Sequence, residues 1–443
     1  MSIGTAFHAH GIGGRQDLPI PFSSAVAGAA VAVLVSFVAL GLLWKTSRFR
    51  GNDAGMPLPE PVATFLDSPG FRLGLRLSGL AVTGFVVMAA VFGPDDALNP
   101  SAGFVYVLFW VGLVPASLLF GPVWRLVNPL RTIHLGLARL MRIRPEEGLW
   151  EMPAWLGYWP AAVGLFAFTW LELVEPDRAS TATLRTWFGV YAGIHLMAAA
   201  AFGSRWFSRG DAFEVYSTLV GRLSPLGRRN DGRLVLRNPF NGLDGLRPAA
   251  GLVAVVCVML GSTAYDGFSN STFWINQLQS GWQSEAVMGM VGLLGMILLV
   301  GVTYSLATWA AGWLGTEGHR ALPRQFAHSI IPIAVGYLVA HYLTLFVLEG
   351  QHAIILASDP LGTGANLFGT AERGVNQSLA NSPGAVATTQ VLAIVVGHIL
   401  GVVAAHDRAA RLFPRRQAIA GQLPLLALMV GYTVCGLLLL FAA

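Results

Sequence analysis

The chain has 443 residues, of which 54% are hydrophobic and 12% charged, with a formal net charge of +5 and a mean hydropathy of +0.60. Soluble domains carry about 25% charged residues, so half that share leaves too few charges to cover a soluble surface of this size. The same figures exclude disordered and fibrous classes, and the composition is that of an integral membrane protein.

Crossing about 30 Å of hydrocarbon at 1.5 Å per helical residue takes roughly 18 to 20 apolar residues. Ten such runs are predicted, at about 23–44, 75–93, 103–121, 157–174, 186–206, 248–266, 286–309, 326–348, 385–405 and 423–442. The first follows a short segment whose one cation is Arg15 and precedes Lys45, Arg48 and Arg50. It reads as an anchor that exports its own N-terminus, and what precedes it is too short for a cleaved signal peptide. After the third run, Leu130, Ile133, Leu137 and Leu140 recur at helical spacing among arginines. After the fifth, Asp211 to Val220 is amphipathic. Both segments are expected as short interfacial helices on the cytoplasmic surface, held by headgroup electrostatics. Pro332 is expected to kink the eighth helix and free a carbonyl. The outer loop 349–384, rich in Gly and Asn, is long for a connector and is a candidate lid. Gly189 with Gly193, Gly397 with Gly401, and Gly289, Gly292 and Gly295 have the spacing that lets helices approach closely in lipid. Cys257 and Cys435 fall inside apolar runs and read as small buried hydrophobes.

Orientation follows from the cations, because inner loops collect them. With ten spans and the N-terminus outside, all but four of the 28 Lys and Arg residues fall in inner connectors; Arg15, Arg178, Arg185 and Arg373 stay outside. One missed span would invert every later loop and spoil that split. The basic excess is therefore read as topology, with no nucleic-acid partner implied. The expected fold is an all-α polytopic transmembrane helix bundle of about ten spans with both termini outside. Residues 1–22 form an extracytoplasmic segment and 23–443 a single membrane domain, with an inner loop at 205–248.

An ionisable side chain inside a span costs a few kcal/mol or more, so each is a functional candidate. Glu172 and Asp266 end the fourth and sixth runs at the outer interface. His195 lies about nine residues, roughly 14 Å, below the outer face, and His341 about seven residues, roughly 10 Å, below it. His398 lies deeper, and His328 starts the eighth run from inside. Tyr337 and His341, four apart, share a helix face. His195, His341, Glu172 and Asp266 are therefore the candidate catalytic group. Neutral imidazoles and carboxylates suit a divalent metal such as zinc, iron or manganese, whose bound water would become a nucleophile. The candidate metal ligands are His195, His341, His398 and His10, the last in His8-Ala9-His10, a sequence suited to copper or nickel. The plainer reading is that these residues hydrogen-bond between helices or sit at headgroup level. No HExxH, CxxC pair, GxSxG, Walker loop or haem CxxCH is present.

Several long motifs run together: HGIGGRQDLPIP from His10, FVYVLFWVGLVPASLLFGPVWRLVNPLRTI from Phe104, RGDAFEVYSTLVGRLSP from Arg209 and GSTAYDGFS from Gly261. They continue with FAHSIIPIAVGYLVAHY from Phe326, SDPLGTGANLFGTA from Ser358 and GHILGVVAAHDRA from Gly397. Over nearly its whole length the chain resembles a family of bacterial, mainly actinobacterial, multi-pass membrane proteins that carry the name fenitrothion hydrolase. The resemblance implies a bacterial plasma-membrane location and hydrolysis of an organophosphorus triester. It marks His10, His328, His341, His398 and Asp359 as motif residues without giving them roles. Members of that family begin with a signal peptide that ends just before a His-Gly, which this chain lacks.

Three readings follow. The first is a metal-dependent membrane hydrolase acting on a hydrophobic small molecule drawn from the outer leaflet. A second is a proton- or metal-coupled transporter or channel, which intramembrane histidines and a Pro-interrupted helix suit. A third is a haem- or copper-binding redox or assembly protein using residues such as His341 and His398, although their depths differ by about 10 Å.

Overall fold

Long runs of Leu, Val, Ala and Phe form helices because a helix satisfies every backbone N–H and C=O within the segment. The computed structural model describes residues 14–281, 283–315, 322–414, 417 and 419–441, and is almost wholly helical. From the N-terminus come α1 (Phe22–Leu43), α2 (Glu60–Asp67) and α3 (Pro69–Phe92), then a π-helical stretch Gly103–Val111 that runs into α4 (Leu113–Phe120). Short helices α5 (Trp124–Val127) and α6 (Pro129–Leu140) precede α7 (Trp159–Leu173) and α8 (Thr181–Phe202). A polar connector then holds α9 (Phe207–Gly210), α10 (Ala212–Val220) and α11 (Pro239–Asp244). The chain closes with α12 (Leu252–Ser269), α13 (Thr272–Gln279), α14 (Glu285–Gly315), α15 (Leu322–Phe326), α16 (Ile330–Leu356), α17 (Pro383–Leu412) and α18 (Leu423–Leu440).

Among the described residues, eight of these helical segments are long and apolar enough to cross a membrane. The other two predicted runs are also helical but differ in kind. At 15 residues α7 is short, about 22 Å. The 22 residues of α8 are diluted by Arg185, Thr186, Trp187, Tyr191 and His195.

Successive connectors meet at alternate ends of the bundle. At one end, Asp407 near the close of α17 accepts from Trp44 Nε1 at 3.0 Å, Ser47 Oγ at 2.8 Å and the Arg48 N–H at 2.6 Å. Arg408 and Arg411 both reach the Asp244 carboxylate at 3.1 Å. A small antiparallel sheet, with strands β1 (Met56–Pro57), β2 (Leu226–Arg228) and β3 (Leu234–Leu236) in the order β1-β3-β2, ties two connectors of this basic end together. At the opposite end, Asp95 accepts the Thr181 N–H at 2.8 Å and Ser180 Oγ at 3.1 Å. The Thr181 N–H holds that carboxyl below the usual carboxylate range. Arg15 donates to the Phe441 carbonyl there, at 2.6 Å.

The leg formed by α15 and α16 is the centre: 78% of its most apolar window is buried, against 11% for α3. A helix apolar all round can face lipid or other helices, and this one is enclosed by helices. Its tightest partner is α17, where glycines meet: a Cβ on Gly397 would stand 2.7 Å from the Pro332 carbonyl oxygen, and one on Gly336 2.5 Å from that of Ala393. Gly401 packs likewise on Ser329. By contrast, a Cβ on Gly189, Gly193 or Gly295 would meet no described atom within 4 Å, so those three serve no close packing.

Pro332 sits in the first turn of α16, where a missing N–H costs little, just after a 3-10 turn at Ala327–Ser329 that interrupts the α15–α16 leg. Two expectations need correction. The segment expected to lie along the surface at Asp211 to Val220 is instead buried: α10 has Phe213 and Tyr216 fully enclosed and Glu214 1% exposed. Its acids are tolerated there because Arg131 grips Glu214 at 2.9 and 2.7 Å, and Asp211 accepts four hydrogen bonds. The candidate lid packs elsewhere, Gly362 against Pro94 and Ser358 on Thr370, and contributes nothing to the cavity described below. The helix α6, in contrast, carries exposed Ile133, Leu137 and Leu140 as an interfacial helix would.

Gly397→Leu is expected to overpack the α16–α17 seam and destabilise the fold by roughly 1–3 kcal/mol. Gly295→Leu should leave the apparent unfolding temperature in detergent unchanged.

Candidate functional site

The π-helical stretch Gly103–Val111 shapes the wall of the site. Gly112 N–H bonds to the Val107 carbonyl, five residues back, so the coil is wider than an α-helix. Tyr106 and Trp110 lie a wide turn apart and share Phe168 as a neighbour, with ring centroids at 6.1 and 4.9 Å from it. Trp110 also stacks on Tyr216 of α10 at 4.6 Å. The Tyr106 hydroxyl donates to the Arg178 carbonyl at 2.9 Å.

Beside this wall, where α7, α12 and α18 end and α14 begins, is a cavity of about 550 Å³. Its polar lining includes Tyr106, Glu172, Arg178, Asp266, Glu285 and His341. Tyr265, Trp274, Leu345 and Leu440 add apolar surface. Since three of those helices close there, the cavity lies toward the end opposite the basic connectors.

Asp266 is its best-anchored acid, 7% exposed. Its Oδ2 accepts from His341 Nε2 at 2.9 Å and from the Tyr342 hydroxyl at 2.8 Å. A carboxylate accepts only, so the imidazole carries a proton on Nε2. The two donors are consecutive residues of α16, and the acceptor sits in the last turn of α12. Ser269 Oγ and Asn270 Nδ2 donate to the Asp266 main-chain carbonyl, both at 2.8 Å, and so cap α12 beneath the carboxylate. Glu172 differs: its Oε2 is enclosed without a hydrogen-bond partner among the described residues. With Glu172, Asp266 and Glu285 against Arg178, the lining is acidic in balance.

Three of the four candidate catalytic residues, Glu172, Asp266 and His341, line this cavity; His195 does not. Its Nδ1 accepts from Trp206 Nε1 at 2.9 Å, and its ring lies 4.1 Å from that of Tyr191, whose hydroxyl donates to Asp211 at 3.0 Å. His195 is thus part of a second polar network, formed by α8 with the connector that carries α9 and α10. There it is a neutral acceptor, because a proton on Nδ1 would break the Trp206 bond. Asp211 belongs to the same network, and burial pushes its carboxyl above the usual range while its donors pull it back.

The expected metal set is not assembled. His398 bonds through Nδ1 to the Ile394 carbonyl at 2.8 Å, with Nε2 enclosed and unpartnered among the described residues. His328 bonds to the carbonyls of Gln325 and Ala404. His10 lies outside the described residues. Among those residues no group of three or more His, Cys, Asp or Glu could hold a metal ion, so zinc, iron, manganese or copper finds no joint ligand set in His195, His341 and His398. Both cysteines are free, Cys257 buried and Cys435 exposed.

Sequence reasoning missed Tyr342, Tyr106, Trp110 and Glu285. Tyr342 is adjacent to His341 and cannot share its face in an ideal projection, yet both reach one oxygen because Asp266 sits between their directions.

Asp266→Asn should cost roughly 1–3 kcal/mol of stability, since two buried donors lose a charged acceptor. Trp206→Phe should cost about 1 kcal/mol without altering the cavity, as read by unfolding in detergent.

Comparison with family models, with curated proteins and with solved structures finds no match to this chain.

Proposed function

We propose that the protein is a multi-pass hydrolase of the bacterial plasma membrane that acts on an uncharged, hydrophobic ester, with organophosphorus triesters as the class. The observation that carries this reading is the His341–Asp266 hydrogen bond inside a cavity of ligand size. In this reading the chain crosses ten times with both termini outside, and the cavity belongs to the outer half of the bilayer; the cation distribution and the alternating connectors support it.

A water held against the His341–Asp266 pair gives it a proton, and the hydroxide forms a new bond to phosphorus. The bond from phosphorus to the leaving oxygen breaks, and the pair returns its proton to that oxygen. Arg178 is the cation in the lining that would stabilise charge growing on the phosphoryl oxygen. The Asp266 and Glu285 carboxylates repel anionic mono- and diesters, admit a neutral triester and favour departure of the anionic product. The described residues supply no three-ligand metal group, so this reading uses general-base chemistry in place of the metal-bound water first expected.

Release of nitrophenol from a neutral aryl dialkyl phosphotriester by the reconstituted protein tests it. His341→Gln and Asp266→Asn should each lower the rate at least 100-fold. His195→Gln and added chelator should leave it within a few fold. An unchanged rate in His341→Gln would end this reading.

A second reading, proton-coupled transport, is favoured by enclosed polar atoms without partners among the described residues: Glu172 Oε2, then Tyr337 Oη, Gln390 Oε1 and His398 Nε2 on α16 and α17. Uptake into proteoliposomes that requires a pH gradient, with no ester cleavage, would establish it over the first.

A further inference from the structure

Two helix ridges face each other at the basic end. On α3, Arg72 and Arg76 are one turn apart; on α6, Arg131 and Arg139 are two turns apart on one side. Helices α3 and α6 pack against each other, which brings the other three arginines near Arg76. Their partners differ. Arg72 pairs with Asp67 at 2.5 Å and Arg131 with Glu214 at 2.7 Å. Arg76 is half-buried and Arg139 exposed, and neither has an acidic or hydrogen-bonding partner among the described residues.

The four guanidinium groups of α3 and α6 face two carboxylates, one of which, Asp67, is shared with Arg228 of β2, so positive charge is in excess in a place where like charges repel. Such an arrangement is stable when an anion sits between them. The surroundings identify its kind. Leu73 and Leu77 on α3 are 49% and 54% exposed, and Leu137 and Leu140 on α6 are 48% and 80% exposed, so apolar side chains flank the arginines on both helices. A soluble anion would have no use for them; an acyl chain would. Arginine is also the cation whose planar fork matches a phosphate with two parallel hydrogen bonds.

We propose that the cleft between α3 and α6 binds an anionic phospholipid of the leaflet at the basic end, its phosphate held by Arg76 and Arg139 and its chains lying along the exposed leucines. Basic pockets between helices at the cytoplasmic face are suited to anionic headgroups.

The test is native mass spectrometry of the purified chain titrated with phosphatidylglycerol or phosphatidylcholine. Wild type should retain phosphatidylglycerol in preference to phosphatidylcholine. The double variant Arg76→Gln with Arg139→Gln should weaken phosphatidylglycerol binding at least tenfold and abolish the preference, with an unchanged unfolding temperature in lipid-free detergent. Arg144→Gln, on the exposed surface beside Glu147, should bind as wild type does. Retention of the preference by the double variant would overturn the proposal. So would displacement of the lipid by equimolar inorganic phosphate, which would assign the cleft to a soluble anion.

Discussion

An ionised carboxylate among apolar helices must be given hydrogen-bond donors by the bundle itself, and Asp266 is where this chain meets that demand. Its two donors come from α16, the most enclosed leg, and its carbonyl is capped by Ser269 and Asn270 of its own chain end. The rotation of α12 against α16 is fixed by these bonds. Gly267, next in the chain, has room for no Cβ because the Tyr337 hydroxyl would be 2.8 Å from it. The cavity exists on the other side of the same carboxylate. Substituting a larger apolar residue at Asp266 would therefore remove the polar face of the site and the registry of the central helices together.

A second buried acid, Asp211, enters from the opposite end. It caps α10, accepting the N–H groups of Phe213 and Glu214, and draws Asn128 and Tyr191 to itself. This lets a short helix carry Tyr216 deep enough to stack on Trp110 of the π-helical stretch, with Phe213 meeting the same ring edge-on at 6.5 Å. An aromatic layer delivered from the basic end thus packs behind Tyr106, each ring pair contributing about 0.5–1.5 kcal/mol beyond its burial. The two acids have different chemical prospects. Asp211 is saturated by donors, whereas Asp266 shares a cavity with Glu172, whose Oε2 has no partner among the described residues.

Helix placement was largely legible, because length and apolar continuity alone decide it. The run expected at 23–44 is Phe22–Leu43, and that at 286–309 extends to Glu285–Gly315. The run at 385–405 continues to Leu412 for a reason absent from hydropathy: His406, Asp407 and Arg408 find Gln422, Trp44 and Asp244 as partners and remain helical while buried. Burial of α10 was illegible for the same cause. Its Asp and Glu mimic a solvated face until Asn128, Arg131 and Tyr191, distant in sequence, are seen to pair with them. Depth along a span placed Glu172, Asp266 and His341 together but also admitted His195, since depth says nothing about which side of a helix a residue occupies. A π-helical stretch leaves no mark in an apolar run, so Tyr106 and Trp110 were not signalled at all.

The account stands on an acid-lined cavity that opens away from the basic connectors. Cysteine labelling tests this most directly, in a Cys435→Ser background, with Cys257 buried. Leu278→Cys places a thiol in the cavity lining, and Thr46→Cys one on an exposed basic connector. A membrane-impermeant maleimide applied outside intact cells should label Leu278→Cys at once and Thr46→Cys only after permeabilisation. Labelling of Thr46→Cys from outside, with Leu278→Cys protected, would contradict the account.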